Sequence, residues 1–204
     1  MGYVGVKPSA VPLTSADITD GIITSAKIAD GTIVNADINA SAAIVNSKLS
    51  GVGITMADQW RITANLAASS GVITANWERI DTDSNGIIGT GMTESSGVFS
   101  FPSTGIYLVD INSFAFGGGA RLYAGIYIIV STDGGSNFSS ATESFGGIYA
   151  QDAYTQLSGS FLLDVTSTAN IKVRFEVIAS GSVTYEGTTS VNRTYATFTR
   201  LGDT

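Results

Sequence analysis

The chain contains no cysteine and no histidine among its 204 residues. Without cysteine, neither disulfides nor thiol chemistry contribute to the fold, and the redox compartment cannot be inferred. Without histidine, the sequence lacks the side chain that most often serves as general base, zinc ligand or pH switch. These two absences weigh against catalysis, and we expect a protein that is not an enzyme and that carries no cofactor and no metal.

Charged residues are also scarce, and basic residues most of all. Lys and Arg together number 10 against 17 Asp and Glu, which gives a net charge of −7. Such a chain does not attract a phosphate backbone, so we expect no nucleic-acid partner. The longest apolar run near mid-chain, residues 123–130, is too short to span a bilayer, and the N-terminus lacks a secretory signal. We therefore expect no membrane insertion.

Proline is rare at 3 residues, whereas glycine is abundant at 24 and hydrophobic residues make up 44% of the chain. Serine and threonine are plentiful as well. This composition favours extended, turn-rich structure over helix while leaving enough apolar residues for a substantial core. The composition therefore predicts an all-β protein.

A repeat occupies the leading part of the chain. An isoleucine recurs every five residues, and each is preceded two positions earlier by Ala or Gly; the series is Ile18, Ile23, Ile28, Ile33 and Ile38. A spacing of five matches neither the period of a helix nor that of a strand. Asp-Gly pairs at 20–21 and 30–31 predict a tight turn once per ten residues, between short extended pieces. Such repeats cannot bury their apolar side alone and need neighbours.

Two architectures fit this repeat. The pattern resembles pentapeptide-repeat solenoids, but about five good pentads form little more than one coil, and solenoids need several stacked units. We favour a stalk over residues 14–50 in which three chains intertwine and each isoleucine contributes to a shared layer. Residues 1–13, with two prolines, form either a frayed end or a peg that orders on docking; we assign them as an anchor.

From about residue 56 onward the sequence alternates between apolar and polar residues in short segments separated by turn signals. Eight or more such segments follow one another with no helical stretch between them, which predicts a sandwich or barrel. We assign residues 51–71 as a connecting strand region and residues 72–204 as the head.

The head carries a motif of the form G-x-F-x-x-P-x-x-G-x-Y, on Gly97, Phe99, Pro102, Gly105 and Tyr107. With the preceding "NWERIDTDSNGI" and the final "YATFTRL", this motif resembles the C1q/tumour-necrosis-factor-like jelly roll over about residues 72–202. The resemblance implies that Phe198 lies on a last strand at the centre of the inner sheet. It also implies a tight homotrimer around an axis lined by aromatic and aliphatic side chains.

The order of the three regions resembles the small fibres of tailed bacteriophages. That resemblance implies a virion protein, made in the host cytoplasm, whose N-terminus binds other virion proteins and whose head attaches to a host-surface glycan or protein. The shaft is shorter than in long tail fibres, so a capsid fibre or decoration protein stays open as an alternative. A glycan depolymerase and a secreted signalling ligand are weaker alternatives.

Acidic residues near the motif are candidates for metal binding or catalysis. Residues 81–86 copy the first half of a calcium loop, but the twelfth position is Met92 instead of glutamate, so we expect a plain turn. The nearest cluster that could supply a glycosidase pair is Glu78, Asp81, Asp83 and Glu94. No pair of these is held on a defined scaffold, and we expect solvated loop acids.

Exposed aromatic residues are the remaining candidates for binding. Phe145, Tyr149 and Tyr154 lie in a glycine-rich stretch that the sequence predicts to be a long loop or an edge. They either form a receptor-binding loop or pack in the trimer interface, and both interpretations stay open. Residues 132–140 are a second candidate loop, which a hairpin tip explains equally well.

Overall fold

The computed structural model describes residues 14–39, 41–44 and 53–204, and the chain divides into two compact units, Met1–Ser50 and Gly51–Thr204. The anchor assigned to residues 1–13 lies outside the described residues. Among the described residues, no helix has the length and apolar character needed to cross a membrane.

In the first unit, the described repeat is a succession of tight turns. Single turns of 3-10 helix occur at Ser15–Asp17, Ser25–Lys27 and Asn35–Asp37. Between and after them the chain turns again, where amides donate to the carbonyl three residues earlier: Ile22 to Thr19, Thr32 to Ala29, and Ala42 to Asn39. A turn therefore falls every five residues, twice as often as the Asp-Gly pairs predicted.

An aspartate side chain closes two of the additional turns that lack Asp-Gly, whereas the turn that ends at Lys27 has no side-chain cap. Asp17 Oδ2 accepts hydrogen bonds from the amide of Thr14 at 2.8 Å and from its hydroxyl at 2.7 Å. Asp37 Oδ2 accepts from the amide of Val34 at 2.9 Å in the same way. Over residues 14–39 and 41–44 the single chain shows turns and no strand, so the extended pieces expected there are not seen. The three-chain stalk stays a prediction.

The described part of the second unit contains eleven strands. They are β1 Met56–Ile62, β2 Leu66–Val72, β3 Trp77–Arg79, β4 Thr93–Ser95, β5 Val98–Ser100, β6 Gly105–Phe116, β7 Arg121–Ser131, β8 Ser139–Ile148, β9 Tyr154–Val165, β10 Lys172–Tyr185 and β11 Tyr195–Gly202. The all-β prediction is confirmed for this unit. Strand pairing begins at Met56, inside the region 51–71 that the sequence assigned as a connection.

The strands form two antiparallel layers. The front sheet has the order β3-β1-β11-β6-β9, and the last strand, β11, is at its centre as the sequence predicted. The back sheet has the order β8-β7-β10, with β2 and β5 sharing the other edge of β10 and β4 paired to β5. A short pairing of β10 with β6 joins the two sheets at one end.

The core fills the space between the sheets, because alternate residues of each strand point inward. On β6, for example, Tyr107, Val109 and Ile111 are fully buried. An aromatic cluster forms around Phe99, whose ring centroid lies 5.1–5.6 Å from those of Trp60, Trp77, Phe175 and Phe198. Edge-to-face and tilted contacts at this spacing stabilise the sandwich beyond simple area burial.

A buried carboxylate secures the first strand to the loop before β4. Asp58 accepts hydrogen bonds from the amide of Met92 at 2.8 Å and from the indole of Trp60 at 2.9 Å. The guanidinium of Arg79 pairs with the same carboxylate at 3.0 Å and donates to the Met92 carbonyl at 2.6 Å. The buried charge is therefore paired and hydrogen-bonded, as its low exposure requires.

Candidate functional site

The side of the front sheet that faces away from the core carries two apolar zones. We call this surface the front face. In the first zone Leu108 and Leu162 are direct cross-strand partners, and Leu162 is 59% exposed. In the second zone Phe116 and Tyr154 are partners with ring centroids 5.3 Å apart, beside the exposed Phe114.

A polar band separates these zones. Asp110 and Ser160 are cross-strand partners joined by a hydrogen bond, and Asn112 and Ser158 form the next pair along the strands. Exposed leucine and aromatic residues on both sides of a polar band are typical of a contact surface, because such residues gain free energy when water is excluded. The front face is therefore the candidate assembly surface of this unit.

The repeat of the first unit also exposes apolar side chains. The five isoleucines at 18, 23, 28, 33 and 38 are between 38% and 53% exposed in the single chain. No described residue of this unit is buried, so the repeat has no interior of its own within its described part.

The motif residues of the head lie where strands change direction. Gly97 forms the β4–β5 turn with φ +81°, and a Cβ there would lie 2.3 Å from the carbonyl oxygen of Ile73. Gly105, with φ +143°, lies against the guanidinium of Arg200, where a Cβ would be 2.4 Å from Nε. Both positions require glycine for its conformation and for space.

The aromatic motif residues are part of the core. Phe99, Tyr107 and Phe198 are fully buried, and the Tyr107 hydroxyl donates to the carbonyl of Ser103 at 3.0 Å. Pro102 is exposed at the start of that bend. The motif therefore shapes a corner of the sandwich.

The three aromatic residues predicted as a receptor-binding loop do not come together. Phe145 lies on β8, the edge strand of the back sheet, and is 53% exposed. Tyr154 begins β9 on the front face, and its hydroxyl lies 3.5 Å from Oε1 of Glu186. Tyr149 follows β8 and is 84% exposed. Phe145 and Tyr154 therefore lie on opposite sides of the sandwich.

The acidic residues near the motif make structural contacts. Arg61, itself buried, pairs with Glu78 at 2.7 Å and with Asp81 at 3.4 Å. Glu94 accepts a hydrogen bond from the amide of Gly97 at 2.6 Å. Asp83 has φ +56° within a turn. Across residues 14–39, 41–44 and 53–204, no three of His, Cys, Asp and Glu are grouped closely enough to hold a metal ion.

The candidate loop at residues 132–140 comprises the connection from β7 to β8 and the first two residues of β8, and Asp133 organises the connection. Its carboxylate accepts hydrogen bonds from the amides of Ser136 at 3.0 Å and Asn137 at 2.9 Å, and from the hydroxyl of Ser131 at 2.7 Å. The bonds from Asn137, followed by that from Ser131, lower the pKa of Asp133 to about 2. The segment is a hairpin tip held by one carboxylate.

The sequence did not single out Tyr123 and Tyr127, which lie beside Phe145 on the back sheet. The sequence pattern could have identified them, because residues at i, i+2 and i+4 of a strand share one face. In "YAGIYI", Tyr123, Gly125 and Tyr127 take one face while Ala124 and Ile126 take the buried one. The continuous apolar run concealed this alternation.

No protein-family model matches the sequence, and no curated protein matches it. Solved structures do match. Murine APRIL at pH 5.0 aligns with a TM-score of 0.52 and 13% identity over 72% of this chain and 98% of that chain. Eiger TNF from S. frugiperda aligns with a TM-score of 0.58 and 11% identity over 74% of this chain and 96% of that chain.

The second unit has a TNF/C1q-like jelly-roll fold. Identities this low show the fold alone. The globular domain of zebrafish complement 1qA also aligns, with a TM-score of 0.42 and 15% identity over 71% of this chain and 94% of that chain. The fold implied by the glycine, proline and aromatic motif is confirmed. In the jelly roll, the motif lies at the β4–β6 corner.

Proposed function

We propose that this chain is a structural fibre protein of a tailed-bacteriophage virion, a homotrimer that presents its jelly-roll heads for attachment to the host surface. Residues 1–13 bind other virion proteins, the repeat forms a shared stalk, and the head makes the host contact. The protein acts by adhesion and catalyses no reaction.

The observation that carries this proposal is the exposure of the repeated isoleucines. Five of them, at a constant spacing, are between 38% and 53% exposed in one chain. Complete burial of a fully exposed isoleucine contributes about 1.5–3 kcal/mol, and these half-exposed side chains would each gain roughly half of that, so a periodic series of five favours association. Three chains in register bring their isoleucines together at each level, and the Ala or Gly two positions earlier permits close approach.

The front face supports the same assembly in the head. Leu162 is 59% exposed and Phe114 is 38% exposed on a sheet whose other side is fully packed. The jelly-roll family that the sequence resembles assembles as trimers around an axis of aromatic and aliphatic side chains. Two different sets of residues therefore favour one oligomeric state.

The contacts that the acidic residues make favour adhesion over hydrolysis. Glu78 and Asp81 pair with Arg61, and Glu94 caps the turn at Gly97. A glycosidase requires two carboxylates facing each other across a substrate cleft. Three linked heads, by contrast, turn weak contacts into strong attachment through their high effective concentration.

The assembly is tested by sedimentation velocity on the full-length protein. We expect a trimer, and we expect Leu162→Asp together with Ile28→Asp to shift the protein towards monomer. The matched control is Leu122→Asp, because Leu122 is 89% exposed but lies on the back sheet, outside the front face. A compact single-chain species with a protease-resistant repeat would refute the trimer and favour the solenoid.

Attachment is tested by competition. Purified trimer, added before the virions, is expected to reduce their adsorption to host cells in proportion to its concentration. Unchanged adsorption at saturating protein would count against receptor binding by this chain.

A capsid fibre or decoration protein is the second candidate, and the shortness of the repeat favours it. Among the described residues, the recurring turns run from Thr14 to Ala42. Virions that lack this protein yet adsorb normally would support this role over host attachment.

A further inference from the structure

Three aromatic side chains form a row on the outward surface of the back sheet. Tyr123 and Tyr127 of β7 flank Phe145 of β8, with ring centroids 5.8 and 5.5 Å from that of Phe145. Phe145 is 53% exposed and Tyr123 is 36% exposed. We call these three residues the aromatic row.

Gly125 makes the row continuous. It is the cross-strand partner of Phe145, and a Cβ at this position would lie 2.9 Å from Cδ1 of Phe145 and 3.0 Å from Cγ2 of Ile178. The Phe145 ring therefore crosses over the backbone of β7, and a larger residue than glycine would displace it.

The core holds this part of the backbone in place from the other side. The hydroxyl of Tyr185 lies 3.1 Å from the carbonyl oxygen of Gly125 and 2.9 Å from that of Ile178. Burial raises the pKa of Tyr185 to about 12, so this hydroxyl stays a donor over the working pH range. The row thus rests on a rigid strand, which suits a binding surface.

Two carboxylates border the row. Glu143 and Glu176 are the register partners of Tyr127 on its two sides. Neither takes part in an ion pair among the described residues, and the nearby guanidinium of Arg174 lies over the ring of Phe138 at 3.8 Å. Burial, then the charge of Glu143 and Glu176, raises the pKa of Tyr127. Tyr127 therefore has a negatively charged carboxylate on each side.

We propose that the aromatic row, with Glu143 and Glu176, binds an uncharged or amino-bearing saccharide of the host surface. The electron-rich faces of the rings attract the C–H groups of a sugar ring. Carboxylates accept hydrogen bonds from hydroxyl or amino groups, and charge-assisted bonds of this kind are the stronger ones. The same negative charge repels acidic sugars. This assignment rests on the proposed role in host attachment and names the ligand class and the residues.

The position of the row fits that role. Tyr123 and Tyr127 are four residues apart on one strand, and their ring centroids lie 5.8 and 5.5 Å on either side of that of Phe145, so the row is long enough to contact consecutive sugar rings. The row lies on the back sheet, so assembly through the front face leaves it open to solvent.

Binding is tested with the full-length protein on an immobilised array of neutral, amino-bearing and acidic oligosaccharides. We expect signal on neutral or amino-bearing members and none on acidic ones. Phe145→Ala and, separately, Tyr123→Ala are expected to weaken binding about tenfold or more. Tyr149→Ala is the matched control, since Tyr149 is 84% exposed but outside the row, and it is expected to bind like the unaltered protein.

The carboxylates are tested by Glu143→Gln combined with Glu176→Gln. These changes keep the shape and remove the charge, so binding to amino-bearing sugars is expected to fall while acidic sugars gain signal. Unaltered thermal melting of each variant confirms that the fold is intact. Signal on acidic sugars alone, no signal on any sugar, or equal binding by Phe145→Ala and Tyr149→Ala would overturn the proposal.

The virion competition experiment separates this proposal from the broader one. If the unaltered protein blocks adsorption and Phe145→Ala blocks it equally well, host attachment stands and the aromatic row is refuted as its site. If the unaltered protein fails to block adsorption yet binds sugars through Phe145, the row is supported and the attachment role fails. If the protein binds a protein receptor on the host and Phe145→Ala does not weaken that binding, the proposed role of the aromatic row is also refuted.

Discussion

The repeat and the jelly roll stabilise the chain in opposite ways. In the repeat, each described backbone hydrogen bond closes over three residues, such as that from the Lys27 amide to the Thr24 carbonyl at 2.9 Å, and every side chain whose exposure is described is exposed. In the jelly roll, β1 near the start pairs with β11 at the end, around a fully buried aromatic core. The jelly roll has its own interior, whereas the described part of the repeat has none. The two units should therefore respond differently to the same kind of change.

The largest expected effect is in the jelly-roll core. Phe99→Ala removes a fully buried ring that contacts four other aromatic rings, and it should lower the free energy of unfolding by about 4 kcal/mol. Denaturant titration monitored by tryptophan fluorescence measures this, since Trp60 and Trp77 adjoin the ring. Phe145→Ala, on the surface, is the control and should cost less than about 1 kcal/mol. Equal losses would contradict the buried position of Phe99.

Loss of the buried Asp58 carboxylate on β1 should cause the second-largest decrease in the free energy of unfolding. Asp58→Ala leaves the Met92 amide and the Trp60 indole without their acceptor, which should cost about 3 kcal/mol. The comparison is Asp203→Ala, since Asp203 pairs with Arg200 but is 93% exposed, and its loss should cost less than about 1 kcal/mol. Thermal melting of both variants checks the order, and a reversed order would contradict the buried network.

A substitution in the repeat should leave the jelly roll almost unchanged. Ile28→Asp is expected to shift the unfolding free energy of the head by less than about 0.5 kcal/mol, because Ile28 lies in the other unit and is 38% exposed. The same variant should speed proteolysis of the repeat by weakening association. A head that melts much earlier would show that the two units are not independent.

The smallest effect is a pH effect in the β7–β8 hairpin. The pKa of Asp133 is lowered from 3.8 to about 2, so its contribution to stability is present above pH 3.8 and is lost as the pH falls towards 2. Asp133→Asn should remove this part of the acid sensitivity, because the variant lacks the charged acceptor at every pH and is therefore somewhat less stable than the unaltered protein at neutral pH. Carboxyl titration by NMR measures the pKa directly, and a value near 3.8 would contradict the described hydrogen bonds.

The sequence predicted the architecture of the head well, because the informative signals are local. Alternation of apolar residues predicted the strands, and the motif that contains Gly97 and Gly105 implied the jelly-roll fold through its resemblance to a known family. The last strand, with Phe198, was expected at the centre of one sheet, and β11 is there.

The candidate binding surface was less predictable, since it depends on pairing between distant segments. Residues 139–148 are rich in serine and glycine, so their weak strand propensity concealed β8 and the side on which Phe145 lies. The grouping of Phe145 with Tyr127 depends on the register of two strands, and so does the position of Glu176. In the repeat, the turns closed by Asp17 and Asp37 were missed because a side chain, and no glycine, completes them.

Because a turn recurs every five residues, the repeat can gain or lose whole blocks during evolution. Each ten-residue block closes its own hydrogen bonds, as the matching bonds at Asp17, Lys27 and Asp37 show. Duplicating or deleting a whole block therefore breaks no bond in the blocks beside it and keeps the isoleucines in phase. In the proposed stalk, length is set by the number of blocks, so the gain or loss of a whole block would change that length and leave the sequence of the head unaltered.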